Sequence, residues 1–168
     1  MYVNYEDYVS LYGEKSMEEA TFNRLSWCAE KKIDINTTGI DGIKKLKIAF
    51  PVDVDDIEAV KRCALSLTDI MYQVEQAEEN LKSSQGYVTR EDGTLQGKII
   101  SSVSAGSESI HYDVGGNANT VTLIDKVLSD KSAQEKLYKD IIFEYLSSVM
   151  DANGVNLLYM GKYPYRVR

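Results

Sequence analysis

A run of carboxylates, Asp53-Val54-Asp55-Asp56, is the first of several features in this chain whose residue types and spacing could do chemistry. Its oxygens could bind a hard cation such as Mg²⁺, which gives the hypothesis of an enzyme that uses Asp53–Glu58 with a metal. Pro51 precedes the run and a long apolar pattern follows it, as is typical of a helix N-terminus. Carboxylates in a first helical turn accept hydrogen bonds from free amides and interact favourably with the helix dipole. We therefore predict that the run caps a helix.

The single histidine, His111, follows Ser109 in a serine-rich stretch, which suggests the hypothesis of a hydrolase. A serine nucleophile needs a base that is held by a third group, and the sequence contains no G-x-S-x-G motif. We predict a structural role for His111. One histidine also excludes every metal site that requires two, including those of most zinc hydrolases.

A short loop, Gly39-Ile40-Asp41-Gly42, matches the G-x-x-G pattern with which one class of RNA-binding domain clamps a nucleic-acid backbone. Asp41 would oppose a phosphate at this position. Lysines follow the loop, and lysines at such a place are typical of a solvated edge; they are Lys44, Lys45 and Lys47. The sequence contains no G-x-G-x-x-G motif and no P-loop, so these residues predict no nucleotide site.

Composition narrows the function classes further. The chain has 168 residues, 19 Lys and Arg against 26 Asp and Glu, and a net charge of −7. This balance excludes a generally basic nucleic-acid binder, because phosphate neutralisation needs clustered cations.

Cys28 and Cys63 are too few for a four-thiolate cluster or a disulfide scaffold, and we predict buried, reduced thiols. No apolar run approaches the roughly 18 residues of a membrane span, and the acidic N-terminus is unlike a signal peptide, so we expect a cytoplasmic protein.

Hydrophobic periodicity predicts the helices that must position these residues. Tyrosines at helical spacing before Gly13 predict a short helix over about residues 6–12; they are Tyr2, Tyr5, Tyr8 and Tyr12. Ser16 and Glu19 match a capping box and predict a second helix over about residues 17–34. Its predicted buried face consists of Phe22, Leu25, Ala29 and Ile33.

The central helix has the strongest pattern and is predicted to run from Asp53 to about Leu81. Its apolar stripe consists of Ile57, Val60, Ala64, Leu67, Met71 and Val74, widened by Cys63, Ile70 and Ala77. A last helix is predicted to begin with the S-x-x-E box of Ser132 and Glu135 and to end at Asn153-Gly154. The predicted apolar face of this helix is Leu137, Ile141, Tyr145 and Val149, flanked by Ile142 and Leu146.

Residues 83–128 contain short, serine-rich stretches that favour β-structure around the Asp92-Gly93 turn signal. The segment is long for a connection, which favours a functional excursion or arm. The predicted fold class is therefore mainly α, a small helical bundle with a β-leaning, hairpin-like excursion between the long central helix and the C-terminal helix. We expect a single domain over residues 1–168, helical over 5–82 and 131–150.

The C-terminal segment, residues 154–168, is apolar and aromatic, and all its charges are positive. Either it packs on its own domain, or it docks on a neighbouring subunit or another protein, because aromatic, Met and Arg residues are favoured interface anchors. The N-terminal tyrosines allow the same two interpretations, and for them we predict self-packing. The candidate subunit or partner interface is Leu157, Leu158, Tyr159, Met160, Tyr163, Tyr165 and Arg166.

The order of these features resembles that of the head–tail connector proteins (adaptor or head-completion proteins) of long-tailed bacteriophages. The resemblance extends from about Tyr5 to the C-terminus and includes the capped helix over 17–34, the proline-opened helix and the final helix. Its best-matching parts are the S-V-S-x-G-x-x-S-x-x-Y segment, Ser102 to Tyr112, and Leu158-Tyr159-Met160-Gly161 before an aromatic, basic end. The chain departs from shorter members of the family in residues 83–98 and 113–128.

The resemblance implies a structural virion protein that is not an enzyme and has no cofactor or metal. Such adaptors are small helical domains that form a homo-oligomeric ring of roughly a dozen copies beneath the portal protein. The ring joins the portal to a tail or stopper protein and extends the DNA channel, through which DNA passes as cargo without sequence-specific binding. The expected location is the virion, after assembly in the bacterial host cytoplasm, with no membrane contact.

A second hypothesis is a small helical protein-binding or regulatory domain with no virion role. Charge bears on the ring hypothesis, because residues 53–79 are strongly acidic whereas residues 152–168 carry three cations and no acid. In a ring, an acidic channel wall would repel DNA and let it slide, and the basic segment would attract an acidic neighbour. If the segment docks, removal of residues 157–168 should weaken assembly and spare the helices.

Overall fold

The structure is a computed structural model of the chain, and it describes residues 2–13, 17–83, 87–89, 95–97, 99–104, 109–113 and 130–164. In this part of the chain the elements are α1 (Tyr5–Tyr12), α2 (Glu19–Asn36), α3 (Lys45–Ile48), α4 (Val54–Ser83), β1 (Tyr87–Thr89), β2 (Leu95–Gly97), β3 (Ile99–Ser104), β4 (Ser109–Asp113) and α5 (Lys131–Leu146). Helices dominate, so the predicted mainly α class is confirmed. Among the described helices, none is long and apolar enough to cross a bilayer.

The chain divides into two compact units. The first unit is Met1–Tyr72 with Tyr138–Arg168, and the second unit is Gln73–Leu137. A hydrophobic core that involves α1, α2, α4 and α5 lies in the first unit. The prediction of a single domain over residues 1–168 stays a prediction.

The second unit contains the four short strands. β1 pairs antiparallel with β2, and β3 pairs antiparallel with β4, with a register shift between Ile100 and Ser102. Residues 90–94, 105–108 and 114–129, which would connect these strands to one another and to α5, lie outside the described residues. The β-leaning arm over 83–128 therefore stays a prediction.

Helix α1 is bounded by local hydrogen bonds at both ends. The Asn4 side chain accepts from the Asp7 amide at 2.8 Å, and the Asp7 carboxylate accepts from the Asn4 amide at 3.0 Å. This reciprocal capping box satisfies free amides of the first turn. At the other end Gly13 adopts φ +90° and donates to the Val9 carbonyl at 2.9 Å, so the predicted stop at Gly13 is confirmed.

The aromatic face of α1 packs against the first unit's own core. Tyr8 is fully buried, its ring centroid lies 5.3 Å from that of Phe22, and its hydroxyl donates to Asp69 at 3.1 Å. The Tyr5 hydroxyl donates to the Met17 carbonyl at 2.8 Å. Buried tyrosines need such partners because an unpaired hydroxyl in a core is costly. The predicted self-packing is confirmed for Tyr5 and Tyr8.

Helix α2 begins later than its sequence pattern predicts. Glu18 is the N-cap residue, its backbone is extended, and its side chain makes no capping hydrogen bond. Glu19 is therefore the first helical residue and does not take the third position that the predicted capping box requires, and Ser16 lies outside the described residues. The buried face is as predicted, with Phe22, Leu25, Ala29 and Ile33 in the core.

Helix α4 follows its prediction closely. The Asp53 carboxylate accepts from the amides of Asp55 at 2.9 Å and Asp56 at 3.4 Å, so the capping interpretation is confirmed for Asp53. The stripe is buried at Val60, Cys63, Ala64, Leu67, Met71 and Val74, whereas Ile57, Ile70 and Ala77 are half-buried. Periodicity predicts this helix well because its apolar residues form one stripe, and no second apolar row could be buried in its place.

Burial of the Cys63 thiol leads to a prediction about alkaline stability. Desolvation raises the pKa of this thiol from 9.0 to about 12, so the folded protein holds a proton that the unfolded chain releases above pH 9.0. The stabilisation is fully present below the unfolded pKa and is lost as the pH rises towards about 12, by at most about 4 kcal/mol. Urea unfolding from neutral pH to about pH 11 should show this decline. Cys63→Ala should decline less steeply, and an equal slope in both proteins would contradict the prediction.

Helix α5 differs from its prediction in its cap, its buried face and its end. It begins at Lys131, as predicted, but the predicted capping box of Ser132 and Glu135 is wrong, because the Asp130 carboxylate caps the first turn by accepting from the Ser132 amide at 2.8 Å. The buried residues are Tyr138, Ile142 and Leu146, one position along from the predicted row. Both rows are apolar, so helical periodicity alone could not choose between them. The helix ends at Leu146, several residues before the predicted end.

Candidate functional site

The C-terminal segment turns back on the first unit soon after α5. The buried Asp151 organises this turn, because its Oδ1 accepts from the amides of Asn153 and Val155, each at 2.9 Å. The Asp151 amide in turn donates to the Val155 carbonyl at 2.8 Å. Gly154 adopts φ +74°, a conformation that favours glycine. Asn153 and Gly154 therefore close a turn within the C-terminal segment and do not end α5.

One residue anchors the segment to the protein's own core, and a second joins the segment to its own turn. Leu157 is fully buried, and its amide donates to the Val149 carbonyl at 3.0 Å. Tyr163 is also buried, and its hydroxyl donates to Asp151 Oδ2 at 2.5 Å and accepts from Asn153 Nδ2 at 2.9 Å. The stretch from Leu157 to Tyr163 is thus held at both ends.

The Gly39–Gly42 loop holds the middle of this stretch. Asp41 Oδ2 accepts from the Tyr163 amide at 2.7 Å, and the Ile40 amide donates to the Met160 carbonyl at 3.0 Å. The hydrogen bond from the Tyr163 amide lowers the pKa of the Asp41 carboxyl, because it stabilises the charged form. The G-x-x-G pattern of this chain therefore clamps the protein's own backbone.

Glycines permit the close approach of the loop and the segment. A Cβ on Gly39 would lie 2.7 Å from the carbonyl oxygen of Gly161, closer than atoms can pack. A Cβ on Gly161 would meet the ring of Tyr159. Gly39 and Gly161 thus allow backbone to lie against backbone and an aromatic ring to lie against backbone.

Lys45 is the residue of this region that sequence reasoning missed. It was predicted to lie at a solvated edge, yet it is fully buried, and its Nζ donates to carbonyl oxygens only. The acceptors are Thr37 at 2.8 Å, Leu157 at 3.0 Å and Tyr159 at 2.6 Å. Three N–H groups thus meet three carbonyls, which satisfies the ammonium completely.

Burial lowers the pKa of Lys45, because desolvation disfavours the charged form, while the nearby carboxylates of Asp151 and Asp41 oppose that effect. Two of the acceptors of Lys45 are more than 100 positions away along the chain. No local pattern signals such a role, and a lysine between two other lysines is an ordinary surface feature. We call the Gly39–Gly42 loop, Lys45 and residues 151–163 together the loop–tail junction.

The junction separates the predicted interface residues into buried and exposed ones. Leu157 and Tyr163 belong to the core, and Leu158 is half-buried against it. Tyr159 and Met160 stay exposed, Met160 at 56%. Tyr165 and Arg166 lie outside the described residues. Part of the segment therefore packs on its own domain, and another part stays exposed and available to a partner.

Ile40, which no sequence pattern indicated as an interface residue, lies beside the exposed residues of the C-terminal segment. Ile40 is 84% exposed, and its backbone hydrogen bond to Met160 places the two residues side by side. We call Ile40, Tyr159 and Met160 the junction surface. It combines an aromatic, a Met and a β-branched side chain on backbone that is held by hydrogen bonds.

The other residues singled out in the sequence form no metal-binding group within the part of the chain that the structure describes. In the described residues no group of three or more His, Cys, Asp or Glu could hold a metal ion. Cys28 is half-buried and Cys63 fully buried, and both are free thiols. Ser109 and His111 lie in β4, and their side chains are outside the part that the structure describes.

In comparisons with known proteins, no family model, curated protein or solved structure matches this chain.

Proposed function

We propose that this protein is a structural subunit of a tailed-phage virion, a head–tail connector that forms a ring, joins the portal to the tail and extends the DNA channel. The observation that supports this most directly is the junction surface, where Ile40, Tyr159 and Met160 stay exposed on backbone that Lys45 and Asp41 hold in place. Exposed apolar patches on small domains mark contacts with other proteins.

The hydrogen bonds that hold the junction support a docking role. A surface that is ordered before binding loses little conformational entropy when a partner covers it. Tyr and Met are enriched at interface cores, where they fill pockets on the partner. The junction surface suits a neighbouring virion component, with the portal protein as the partner to be tested first.

The proposal includes the β-leaning arm and the charge distribution of the chain. The arm over residues 83–128 would reach a neighbouring copy in the ring, as the resemblance to connector proteins implies. The net charge of −7 suits a channel through which DNA passes without being held. Neither an enzymatic activity nor a cofactor is part of the proposal.

The double variant Ile40→Asp/Met160→Asp is expected to keep the fold and to lose binding to the portal protein of the same genome by at least about tenfold. Both side chains are exposed, so their replacement removes no core contact. Native mass spectrometry of the protein with and without the portal measures the complex. Phe143→Asp, which changes another exposed apolar residue outside the junction surface, is the matched control and should bind as the wild type does.

The possible outcomes separate an error in the docking site from an error in the proposed function. If the double variant binds the portal as the wild type does, the junction surface is not the docking site. If the wild type itself stays monomeric and never joins a portal complex, the connector proposal is wrong. That second result would favour the alternative, a small helical protein-binding or regulatory domain, whose gene need not lie between portal and tail genes.

A further inference from the structure

Helix α2 presents to solvent a face that the core does not use. Its buried residues lie on one side, and the opposite side exposes Arg24, Trp27, Lys31 and Ile35. With 3.6 residues per turn these four positions lie within an arc of about 80°. Trp27, the only tryptophan in the chain, is 61% exposed. We call this set the basic face.

The charge of the basic face is opposite to that of the protein. The acidic residues Glu30 and Asp34 of the same helix are buried and accept hydrogen bonds from the amide and the hydroxyl of Tyr2. Lys31 Nζ lies 5.3 Å from the centroid of the Trp27 ring, a cation–π contact in which both groups remain exposed. A protein of net charge −7 thus carries one helix surface of cations and large apolar side chains.

A second exposed apolar surface has the opposite charge. Val52 and Val54, at the start of α4, are both exposed, Val54 at 77%, and they alternate with the exposed carboxylates of Asp53 and Asp55. Exposed β-branched residues on both sides of Asp53 are not explained by helix capping, for which Asp53 suffices. We call Val52–Asp55 the valine edge.

We propose that the basic face of one copy binds the valine edge of a second copy of this chain. The charges are complementary: Lys31 would meet Asp55, while Trp27 would cover the valines. Both surfaces are exposed in the single chain, so neither covers the other within one molecule. A contact between two different surfaces of identical chains is heterologous, and a heterologous contact that repeats produces a ring when the rotation closes. This inference rests on the proposed ring-forming function and assigns its subunit contact.

Charge reversal on either side of this contact tests the inference. Lys31→Glu and Asp55→Lys should each weaken assembly by at least about tenfold, because like charges then face each other across the contact. Asp55 is chosen over Asp53 because Asp53 caps α4. Matched controls with the same charge changes on α5 are Lys139→Glu and Asp140→Lys, both exposed and outside the two surfaces. Circular dichroism checks that each variant is folded.

Mixing the two variants gives the decisive measurement. In an equimolar mixture of Lys31→Glu and Asp55→Lys, alternating copies place Glu opposite Lys at one contact and Lys31 opposite Asp55 at the next. Assembly should therefore be stronger in the mixture than in either variant alone, by at least about tenfold. Light scattering measures the mass of the assembly. Because Trp27 lies at the contact, its fluorescence emission should shift to the blue on assembly.

Failure of the inference and failure of the proposed function give different results. If the wild type forms rings and both variants assemble as it does, or if the mixture does not assemble, the contact lies elsewhere and the connector proposal stands. If the wild type is monomeric at every concentration and with the portal present, both are overturned. If the basic face then binds an unrelated acidic protein, its partner is that protein and not a second copy of this chain. A mixture that forms dimers only would show a closed two-fold contact and overturn the heterologous assignment.

Discussion

Removal of residues 157–168 is expected to unfold the first unit rather than only to weaken assembly. Truncation deletes the fully buried Leu157 side chain, and core truncations of this size cost about 2–5 kcal/mol. It also removes the buried Tyr163 and two of the three carbonyls that accept from Lys45. A buried cation without its acceptors costs a further 3–5 kcal/mol or so. Together these losses approach the total stability of an ordinary domain.

Far-ultraviolet circular dichroism and thermal unfolding of the truncated chain measure this effect. The expected result is a large loss of helical signal at 25 °C, in contrast to the sequence-based expectation that the helices are spared. A chain that lacks only residues 165–168 is the control, because it keeps Leu157, Tyr163 and every acceptor of Lys45. A truncated chain with the melting temperature of the wild type would show that the junction contributes little to folding.

Lys45→Met is expected to destabilise the protein by about 3–5 kcal/mol. Methionine fills much of the volume of the lysine stem, so the change mainly removes the ammonium and its hydrogen bonds. The buried carbonyls of Thr37 and Leu157 and the partly buried carbonyl of Tyr159 then lose a charged donor. Each buried acceptor without a partner costs about 1–3 kcal/mol. Lys45→Met also removes the cost of burying a charged ammonium. The net destabilisation is therefore smaller than the sum of the penalties of the three carbonyls.

Urea unfolding of Lys45→Met and of the neighbouring variant Lys44→Met measures the difference. Lys44 is exposed, so its replacement should change the free energy of unfolding by less than about 0.5 kcal/mol. Lys45→Arg should be destabilising too, because the planar guanidinium is larger and directs its donors differently. Equal stability of Lys45→Met and the wild type would mean that water replaces the ammonium at these carbonyls.

Local patterns predicted the elements whose information lies within one or two helical turns. The stripe from Val60 to Met71, the cap at Asp53 and the stop at Gly13 all depend on neighbours a few positions away. For the same reason the mainly α class could be read from periodicity alone. The face of α5 could not, because two adjacent rows of that helix are apolar and only the packing of the core selects between them.

The loop–tail junction could not be predicted because the contacts that join the loop and Lys45 to the C-terminal segment are distant in the chain. The hydrogen bonds of Lys45 to Leu157 and Tyr159 and that of Tyr163 to Asp41 join residues more than 100 positions apart. Burial of a lysine depends on carbonyls that folding brings together, and no composition or spacing encodes their arrangement. The same folding buries Leu157 and Tyr163 and leaves Ile40 and Met160 exposed.

The amino-acid sequence thus contains the helices, several of their caps and the acidity of the chain, since these depend on residue type and short-range order. Tertiary packing decides which apolar residues of the C-terminal segment are core and which form a surface. It also turns Lys45 from a surface-type residue into the buried cation that holds the segment. The physical reason is that desolvation and hydrogen-bond satisfaction are properties of the folded environment and not of the residue itself.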